Sequence, residues 1–444
     1  MGGRGDADLE SVLVATPREF ESRILRRWQA GAYDGHRPSH VLRAPATACL
    51  GSAVSGSEYP VVDFDPGVAG RPVGAAHALF DELRGLHPVV RSDRGFWVLT
   101  RYDAIMDACR SPGLFSNSAI SALDADPAYR WIPEMLDPPE HTVWRRLLRP
   151  LFTPARARAM RDDAERRCAD LVDGLAAQGT CDFVADFARV FPTSIFLELM
   201  GLPAERLPEF LAWENAILHT PSSEGGEARR TTMADVAACF TELIAARRRD
   251  PRDDIVTAAL SFRVGDRPVA DEELLSLFVL LFLAGLDTVS AALSYAFWHL
   301  ARHDADRTRV ANDPGVVPSA VEELLRAYAI VVIGRKVTRD AEVHGCPMKA
   351  GDMVLLPLAA ADRDPRAFPD AHVVDLDRHP NRHIAFGAGP HHCLGAHLAR
   401  LELQIAIREW HARIPDYRVP DGARVTEHAG QVLGLESLPL EWST

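Results

Sequence analysis

One cysteine near the end of the chain lies where its sulfur could bind a metal. Cys393 follows two glycines, Gly387 and Gly389, and precedes a helix predicted over Leu394–Ile414. Glycines let a backbone pass close to a flat ring, where a Cβ atom would collide. The free N–H groups at the start of a helix stabilise a thiolate. This pattern predicts a thiolate ligand to the metal of a flat macrocycle.

Two neighbouring side chains would complete such a site. Phe386, seven positions before the cysteine, can shield the sulfur from water and oxidant. His391, two positions before it, can reach a carboxylate at the edge of the ring. A lone cysteine at a helix start is usually structural, so the interpretation depends on all these constraints occurring together around Cys393.

The segment from Phe386 to Gly395 resembles the cysteine loop of the cytochrome P450 family, FGxGxHxCxG, at every fixed position. The resemblance covers about residues 59–444 and implies the fold of that family, which is mainly α with small β-sheets (α+β). It also implies that haem b, iron protoporphyrin IX, is buried between a long central helix and the cysteine-loop helix. Cys393 would then be the axial ligand of the iron, with Gly387 and Gly395 beside the cofactor.

A second landmark of the family lies seventy residues before the cysteine. Glu323-Leu-Leu-Arg326 resembles the ExxR pair. Alone, such an i,i+3 pair is a common solvated ion pair, but its position ahead of the cysteine loop gives it weight. The resemblance implies that Glu323 and Arg326 bond each other and the loop containing Asn381 and Arg382, as structural residues.

Further basic residues match positions that bind the haem propionates in this family. The run Asp137–Thr142 resembles the start of the helix that crosses the haem edge. His141 and Arg145 are one turn apart and share a helix face. Arg335 occupies the place of another propionate arginine. The resemblance therefore implies that these three residues and His391 hold the propionates.

The segment Ala284-Gly-Leu-Asp-Thr288 matches the oxygen-activating motif of the family's central helix. Gly285, beside Ala284, weakens the helix and leaves space for dioxygen. The Thr288 hydroxyl can divert a backbone carbonyl and open the turn to water, and Asp287 can relay protons to that water. A mid-helix threonine more often bonds only its own helix. The adjacent glycine and acid in an apolar helix favour Asp287 and Thr288 as catalytic residues.

The substrate pocket is expected to be apolar, because three of the five segments that form it in the family are strongly apolar here. The predicted pocket residues from these three segments are Leu280, Leu283, Val331, Val332 and Val432.

Tyr129 falls where camphor-hydroxylating members of the family carry the tyrosine that bonds the substrate ketone. The alternative is that Tyr129 packs against its neighbours or faces solvent. A small alicyclic or terpenoid substrate fits this similarity, while polyketides, steroids and aromatics stay open.

Composition excludes several other classes of protein. The formal net charge of −13 argues against nucleic acid as a partner, because phosphate binding needs a basic surface. The cysteines are odd in number, scattered and without a CxxC pair, which excludes a disulfide framework and favours a reducing cytoplasm. They are Cys49, Cys109, Cys168, Cys181, Cys239, Cys346 and Cys393.

Two regions bear on how the chain is organised. Residues 1–57 are rich in Gly, Ala, Ser and Arg, and we expect a partly disordered extension ahead of one domain over residues 58–444. The run Leu274–Leu286 is uncharged but shorter than the ~20 residues that span a bilayer. Asp287 would then lie in the middle of a membrane span, where a lipid-facing carboxylate is costly. A buried helix of a protein that does not enter the membrane is therefore expected.

Apolar recurrence predicts the regular elements. The predicted helices are Ala75–Leu86, Tyr102–Cys109, Glu140–Leu151, Ala155–Ala176, Phe187–Leu199, Arg230–Arg248, Glu272–His303, Pro318–Ala327 and Leu394–Ile414. The predicted strands are Val89–Arg91, Phe96–Thr100, Arg335–Val337 and Met353–Pro357. Residues Ala361–Ala388 show no period and predict a long ordered loop, which in a compact domain usually has a function.

The sequence thus predicts a monomeric, cytoplasmic monooxygenase that uses O2 and hydroxylates a small hydrophobic substrate. No flavin or iron–sulfur segment occurs in the chain, so electrons are expected from a ferredoxin with its ferredoxin reductase. Trp144–Arg167 carries eight Arg against three Asp or Glu and could dock an acidic ferredoxin, although a charged helix face is usually only solvated. The alternatives are a peroxide-driven oxygenase and a non-catalytic haem-binding protein; the Asp287–Thr288 pair argues against both.

Overall fold

The computed structural model describes residues 59–444, except for residues 66, 68, 69, 128, 220 and 221. The extension predicted for residues 1–57 lies outside this part of the chain. The described α-helices are α1 (Ala75–Leu86), α2 (Tyr102–Arg110), α3 (Glu140–Leu148), α4 (Pro154–Ala159), α5 (Arg161–Ala176), α6 (Val190–Leu199), α7 (Leu207–Glu214), α8 (Ser222–Arg249), α9 (Ile255–Leu260), α10 (Asp271–Leu300), α11 (Asp304–Asn312), α12 (Val317–Ala327), α13 (Leu358–Asp362) and α14 (Ala396–Arg413).

The strands are short and form small sheets between the helices. They are β1 (Val61–Val62), β2 (Arg71–Pro72), β3 (Val89–Ser92), β4 (Trp97–Leu99), β5 (Phe115–Ser116), β6 (Thr180–Asp182), β7 (Arg263–Val264), β8 (Arg267–Pro268), β9 (Val332–Val337), β10 (Ala341–Val343), β11 (Cys346–Met348), β12 (Met353–Pro357), β13 (Thr426–His428), β14 (Gly434–Leu435) and β15 (Pro439–Glu441). The largest sheet has the order β1-β3-β4-β12-β9-β5, and a second has the order β14-β13-β2. The predicted class, mainly α with small sheets, is confirmed.

The prediction of one helix over Ala155–Ala176 is wrong in one respect, because two helices occupy it. The first, α4, begins after Thr153, whose hydroxyl accepts a hydrogen bond from the Arg156 N–H at 3.2 Å. It ends at Ala159, and the N–H of the next residue, Met160, bonds to the carbonyl of Ala157 three residues back and tightens the turn. The helical period continues across this break, so the sequence pattern did not reveal it.

Three other predicted helices begin or end differently. The helix predicted over Arg230–Arg248 begins earlier, at Ser222. The end of the helix predicted over Glu140–Leu151 is a 3₁₀ turn over residues 149–152. The start of the helix predicted over Phe187–Leu199 is a π turn over Val184–Ala188, and α6 begins at Val190. The predicted loop over Ala361–Ala388 begins two residues later, because α13 ends at Asp362. From there to residue 388 the chain has no regular element.

The long central helix, α10, is buried through most of its length. Three acidic residues in its first turn lie at the positive end of the helix dipole and stabilise the helix. The carboxylate of one of them, Glu273, accepts a hydrogen bond from the Ala270 N–H at 2.9 Å. By length and composition α10 is the one helix in the described ranges that could span a membrane, but half of its most apolar window is buried inside the structure. The helix packs against α6, α8 and α14, so it can form the wall of an internal site.

Candidate active site

The cysteine loop folds back on itself so that Cys393 directly precedes α14. The Cys393 N–H donates a hydrogen bond to the Phe386 carbonyl at 2.8 Å. Gly387 has a φ of 71°, which favours glycine, and its N–H bonds to the Ile384 carbonyl at 2.7 Å. Gly395 comes immediately before the helix, and a Cβ built there would lie 4.0 Å from the Cys393 sulfur. The predicted order of loop, ligand candidate and helix is therefore present.

Gly389, the second glycine of this loop, was expected to let the backbone pass close to a flat ring, but its surroundings show a different need for glycine. A Cβ built on Gly389 would lie 2.4 Å from the carbonyl oxygen of Cys109, at the end of α2. Gly389 also has a φ of 68°. The absence of a side chain there lets the loop dock on a helix of the protein itself, and this contact fixes the loop's height above α2.

The Cys393 side chain faces an internal space. It is exposed, whereas the other cysteines in the described part of the chain are buried. Burial nevertheless raises the pKa of its thiol, so the exposed surface lies deep within the protein. The Gly395 N–H and the positive charges of Arg145 and Arg400 act in the opposite direction and lower that pKa. These groups favour the thiolate that a metal ligand requires.

The central helix exposes its predicted oxygen-binding turn. Ala284 and Gly285 are exposed although Leu286 and Asp287, which follow them, are buried. A Cβ built on Gly285 would touch only a ring carbon of Phe196 within 4 Å, at 3.7 Å. The predicted small-residue turn is thus accessible, as a site for a small ligand requires.

The Thr288 hydroxyl donates a hydrogen bond to the Ala284 carbonyl at 2.8 Å. The prediction that this bond opens the turn is wrong for this structure, since α10 is continuous from Asp271 to Leu300. A carbonyl oxygen has two lone pairs, so it can accept the hydroxyl and a helical N–H together. Thr288 therefore holds its hydroxyl at the helix surface, next to the buried Asp287, without breaking the helix.

The predicted propionate-binding residues gather on one side of the cysteine loop. The rings of His141 and His391 stack with centroids 3.9 Å apart. An Arg145 N–H donates to the His392 carbonyl at 2.6 Å, and the buried Arg335 donates to the Gly334 carbonyl at 2.7 Å.

The open hydrogen-bonding capacity of this cluster fits the carboxylates of haem. Both ring nitrogens of His391 are buried without a hydrogen-bond partner among the described residues. Burial lowers the pKa of His141 to about 4 and that of His391 to about 2, so both imidazoles are neutral near pH 7. Two guanidinium groups and two neutral rings can balance and hydrogen-bond two propionates. Together with Cys393, this chain therefore offers the donors that haem needs.

Sequence reasoning missed one carboxyl group in this cluster, that of Glu134. The Asn117 side-chain amide donates to the Glu134 carbonyl at 3.1 Å and to its carboxylate at 3.3 Å. Burial raises the pKa of Glu134, whereas the positive charges of Arg335 and Arg145 lower it. An acidic residue in the apolar run just before the Asp137-Pro-Pro turn was the signal that could have revealed it.

Glu323 and Arg326, both fully buried, form the centre of an ion network. Their side chains make two hydrogen bonds of 2.8 Å. The expected partner Asn381 donates to Glu323 at 3.1 Å, but Arg382 is not part of the network. Its place is taken by Arg378, whose Nε lies 3.0 Å from both carboxylate oxygens. Loop residues can approach Glu323 only where the turn geometry allows, which the sequence order does not show.

Arg326 also holds the loop that leads to the cysteine. Its guanidinium donates to the carbonyls of Asp362, Ala371 and Val373 at 2.8 to 3.0 Å. Removing one partner from such a buried pair typically costs about 3–5 kcal/mol, because an uncompensated charge remains. The prediction that this pair is structural agrees with the geometry.

Two of the predicted pocket segments pair with each other. Val331 and Val432 form an isolated antiparallel bridge, and the Val332 N–H bonds to the Gln431 carbonyl at 2.8 Å. Val332 itself was wrongly predicted to face the pocket. Its side chain is only 2% exposed and packs within the sheet, because alternate residues of β9 point to opposite sides.

The other predicted pocket residues lie on or beside the central helix. Leu280 and Leu283 are half-buried, and Leu280 lies one turn before Ala284. The half-buried Tyr129 contacts Trp131 edge to face, at 5.3 Å between centroids, and burial raises the pKa of its hydroxyl to about 12. Among the described residues, Tyr129 makes no ring contact and no hydrogen bond with any of the other predicted pocket residues.

The loop that carries Tyr129 is nevertheless fixed to the central helix. Ser276 donates to the Arg130 carbonyl at 2.7 Å and accepts from the Ile132 N–H at 3.1 Å. Ser276 lies one turn before Leu280 and two turns before Ala284, so this loop covers the same helix that forms the oxygen-binding wall.

Comparisons with known proteins extend over most of the chain. A family model for cytochrome P450 matches residues 315–409. The chain is 38% identical to a probable cytochrome P450 127A1 of Sinorhizobium fredii, over 85% of this chain and 92% of the relative. It is 33% identical to a steroid C26-monooxygenase of Mycobacterium tuberculosis, over 86% of this chain and 98% of the relative. The solved structure of CYP101J2 superposes with a TM-score of 0.79 at 32% identity, covering 86% of this chain and 97% of that one.

These relatives establish both the cofactor and the type of reaction. Members of the family bind haem b through a cysteine thiolate and use O2 with electrons from a redox partner. Named relatives are monooxygenases, which insert one oxygen atom into an organic substrate. The chain is therefore a haem-dependent monooxygenase of bacterial type and belongs to the cytochrome P450 family.

Proposed function

We propose that this chain hydroxylates a small hydrophobic molecule with O2 and two electrons from a ferredoxin, using Cys393 as the haem ligand. In the overall reaction one oxygen atom enters a C–H bond of the substrate and the other leaves as water, with two protons consumed. The observation that carries the proposal is that Cys393 and the Ala284–Gly285 turn are exposed, although the residues that follow the turn are buried. Residues 58–444 would form the single haem-binding domain.

The residues of the cysteine loop would hold the cofactor. Bound haem supplies an iron that activates dioxygen, and a thiolate ligand favours cleavage of the O–O bond. The Cys393 sulfur would hold the iron, and the Gly395 N–H and nearby cations would stabilise its thiolate form. His141, Arg145, Arg335 and His391 would bind the propionates, because their donors converge beside the loop.

Proton delivery would fall to two residues of the central helix. Thr288 holds its hydroxyl at the helix surface through its bond to the Ala284 carbonyl. From there it can donate a proton to a water beside the exposed Gly285. The buried Asp287 is adjacent in sequence and can supply the proton that the hydroxyl passes on. A non-catalytic haem protein has no need for such a pair.

The substrate would bind among apolar side chains of the central helix and the Val331–Val432 bridge. Such a wall selects apolar molecules by burial and offers few hydrogen bonds. The names of relatives, a steroid C26-monooxygenase and a polyketide biosynthesis cytochrome P450, keep steroids and polyketides as alternative substrates. The similarity of Tyr129 to a ketone-binding tyrosine favours a small alicyclic or terpenoid substrate with one oxygen acceptor.

Electrons would arrive at an arginine-rich surface. The exposed Arg146, Arg149, Arg156 and Arg158 belong to α3, α4 and the turn between them. Their side chains form no salt bridge with any residue in the described part of the chain, unlike those of Arg161, Arg166 and Arg167. Positive charge without a salt-bridge partner, on the side of the haem that Cys393 would occupy, suits the docking of an acidic ferredoxin. A ferredoxin reductase would in turn reduce that ferredoxin. A cytoplasmic, monomeric enzyme without nucleic-acid or membrane partners is consistent with this proposal.

The decisive experiment uses the haem-loaded protein. Reduced protein with carbon monoxide should show the strongly red-shifted Soret band of thiolate ligation, and Cys393→Ser should lose it while Cys181→Ala keeps it. Product should form from apolar compounds with ferredoxin, its reductase and O2, but not with hydrogen peroxide alone. A persistent band in Cys393→Ser would refute the ligand assignment, and equal turnover with peroxide would favour a peroxide-driven oxygenase.

A further inference from the structure

Arg400 connects the cysteine loop to a neighbouring helix. It lies on α14, seven residues after Cys393, as Phe386 lies seven residues before it. The guanidinium carbon of Arg400 lies 4.4 Å from the centroid of the Phe386 ring, which is a close cation–π contact. Two side chains placed seven residues before and seven residues after Cys393 thus contact each other directly.

Glu322 of α12 holds the guanidinium in this position. Its carboxylate oxygens lie 2.6 Å from Nε and 2.9 Å from Nη2 of Arg400, a bidentate geometry that fixes both position and orientation. Nε2 of His383 lies 3.0 Å from the same carboxylate. Burial raises the pKa of Glu322, but the bonds to His383 and Arg400 outweigh it and bring that pKa to about 2. The ion pair therefore persists at all ordinary pH values.

Consecutive glutamates of α12 thus serve separate networks. Glu323 binds Arg326 and Arg378 in the ion network described above. Glu322 binds Arg400, which belongs to the cysteine-loop helix and carries one of the two positive charges that act on the Cys393 thiol. The other, Arg145, is turned to the His392 carbonyl and lies among the propionate-binding residues. Arg400 is the cation that no proposed haem contact uses.

We propose that Arg400 is a positioning residue for the thiolate site: clamped by Glu322 against Phe386, it places a fixed positive charge that makes the haem iron easier to reduce. This inference rests on the proposed assignment of Cys393 as the axial ligand. Adding one electron to the iron makes the site more negative, and a fixed cation beside it stabilises that state more than the oxidised one; the Arg400 side chain is only 28% exposed, so water screens its charge incompletely. The chemical consequence is easier transfer of the first electron from the redox partner.

The test compares variants of the haem-loaded protein by redox titration of the iron. Arg400→Gln should lower the equilibrium constant for one-electron reduction about tenfold, which is a shift of about 59 mV to more negative potential. Arg400→Lys should recover part of this shift, since it keeps the charge but not the bidentate, stacked geometry. The matched control is Arg408→Gln, two turns further along the same helix, which should keep the wild-type potential.

Glu322→Asp serves as a second variant in case Arg400→Gln does not retain haem. It keeps every charge, but its shorter side chain draws the Arg400 guanidinium away from the Phe386 ring. We therefore expect a shift to more negative potential that is smaller than the shift in Arg400→Gln. An unchanged potential in Arg400→Gln would overturn the inference; if only Glu322→Asp binds haem, an unchanged potential in that variant would do so. The proposed function would still stand in either case, provided that the thiolate band is intact. A wild-type protein without that band would refute the ligand assignment instead.

Discussion

Gly389 lies so close to the carbonyl oxygen of Cys109 that a Cβ on Gly389 would come within 2.4 Å of that oxygen. The obstacle is backbone at the end of a helix, so it cannot move aside as a flexible side chain could. The height of the cysteine loop above α2 is thus set by the absence of one methyl group.

Gly389→Ala should therefore destabilise the protein and reduce its haem content. Backbone strain at φ 68° costs of order 1–2 kcal/mol, and the steric clash should add about 1–3 kcal/mol. Gly422→Ala is the matched control, because Gly422 has a φ of 78° but nothing within 4 Å of a built Cβ. Urea unfolding of both variants separates strain from clash. Equal losses of unfolding free energy would show that the loop can shift and that the contact with Cys109 is not a constraint.

Thr288→Ala should bind substrate normally but divert electrons from product to hydrogen peroxide. Its hydroxyl is the group that the helix holds beside the exposed Gly285, and without it a proton donor is lost. Asp287→Asn should slow turnover by on the order of 10²-fold, as expected for the loss of a positioned proton source. The measurement is the ratio of product to peroxide per electron consumed.

The control for this pair is Ser294→Ala, which removes a similar hydroxyl–carbonyl bond of 2.7 Å from the buried continuation of the same helix. It should remain fully coupled. Coupled turnover at wild-type rate in both Thr288→Ala and Asp287→Asn would exclude the relay.

Tyr129→Phe should weaken the binding of a ketone or alcohol substrate by about 1 kcal/mol, the net value of a neutral hydrogen bond. An alkane of the same shape should bind equally to both proteins, because it has no acceptor to lose. The products should also become more varied, since an unanchored substrate can present several carbons. Paired titrations of the low-to-high-spin shift measure these affinities. Equal affinity for the ketone in both proteins would mean that the Tyr129 hydroxyl points elsewhere.

Glu402 makes stability depend on pH. This residue of α14 is 4% exposed, and burial raises the pKa of its carboxyl to about 8. A folded-state pKa above the unfolded value means that the folded protein binds the proton more tightly. Stability should fall between about pH 5 and pH 8 by on the order of 1.4 kcal/mol per pH unit. Glu402→Gln should remove this fall.

The difference is read from urea unfolding of wild type and Glu402→Gln at several pH values across this window. The two proteins should have similar stability at the acid end, and the variant should be the more stable at pH 8. Glu205→Gln, at an exposed position, should follow the wild type throughout. A pH profile of Glu402→Gln parallel to that of the wild type would contradict the prediction.

Local patterns were sufficient for most of the architecture and for the identity of the site. The helix Ala75–Leu86 was predicted with its observed bounds, and the loop before Cys393 was recognised from its irregularity. Both depend on short-range rules, namely the helical period and the conformational freedom of glycine. The same rules failed at Met160, because the apolar pattern of one helix continues into the next without a change of period.

Long-range packing decided what local patterns could not. The participation of Arg378 rather than Arg382 in the Glu323 network depends on the path of the loop, in which the Arg378 guanidinium also donates to the carbonyls of Pro369 and Asp370. The burial of Val332 follows from its pairing with Pro357, 25 residues along the chain. The position of Glu134 among arginines follows from the meeting of three distant segments.

The sequence by itself determined the class of this protein, because a cysteine loop, an acid–alcohol pair and an ExxR pair are each encoded within a few consecutive residues. Only the tertiary structure decided which side chains meet across the site, such as Gly389 with Cys109 and Arg400 with both Phe386 and Glu322. Those contacts join residues up to 280 positions apart, and their geometry depends on the packing of whole helices, which no local pattern specifies.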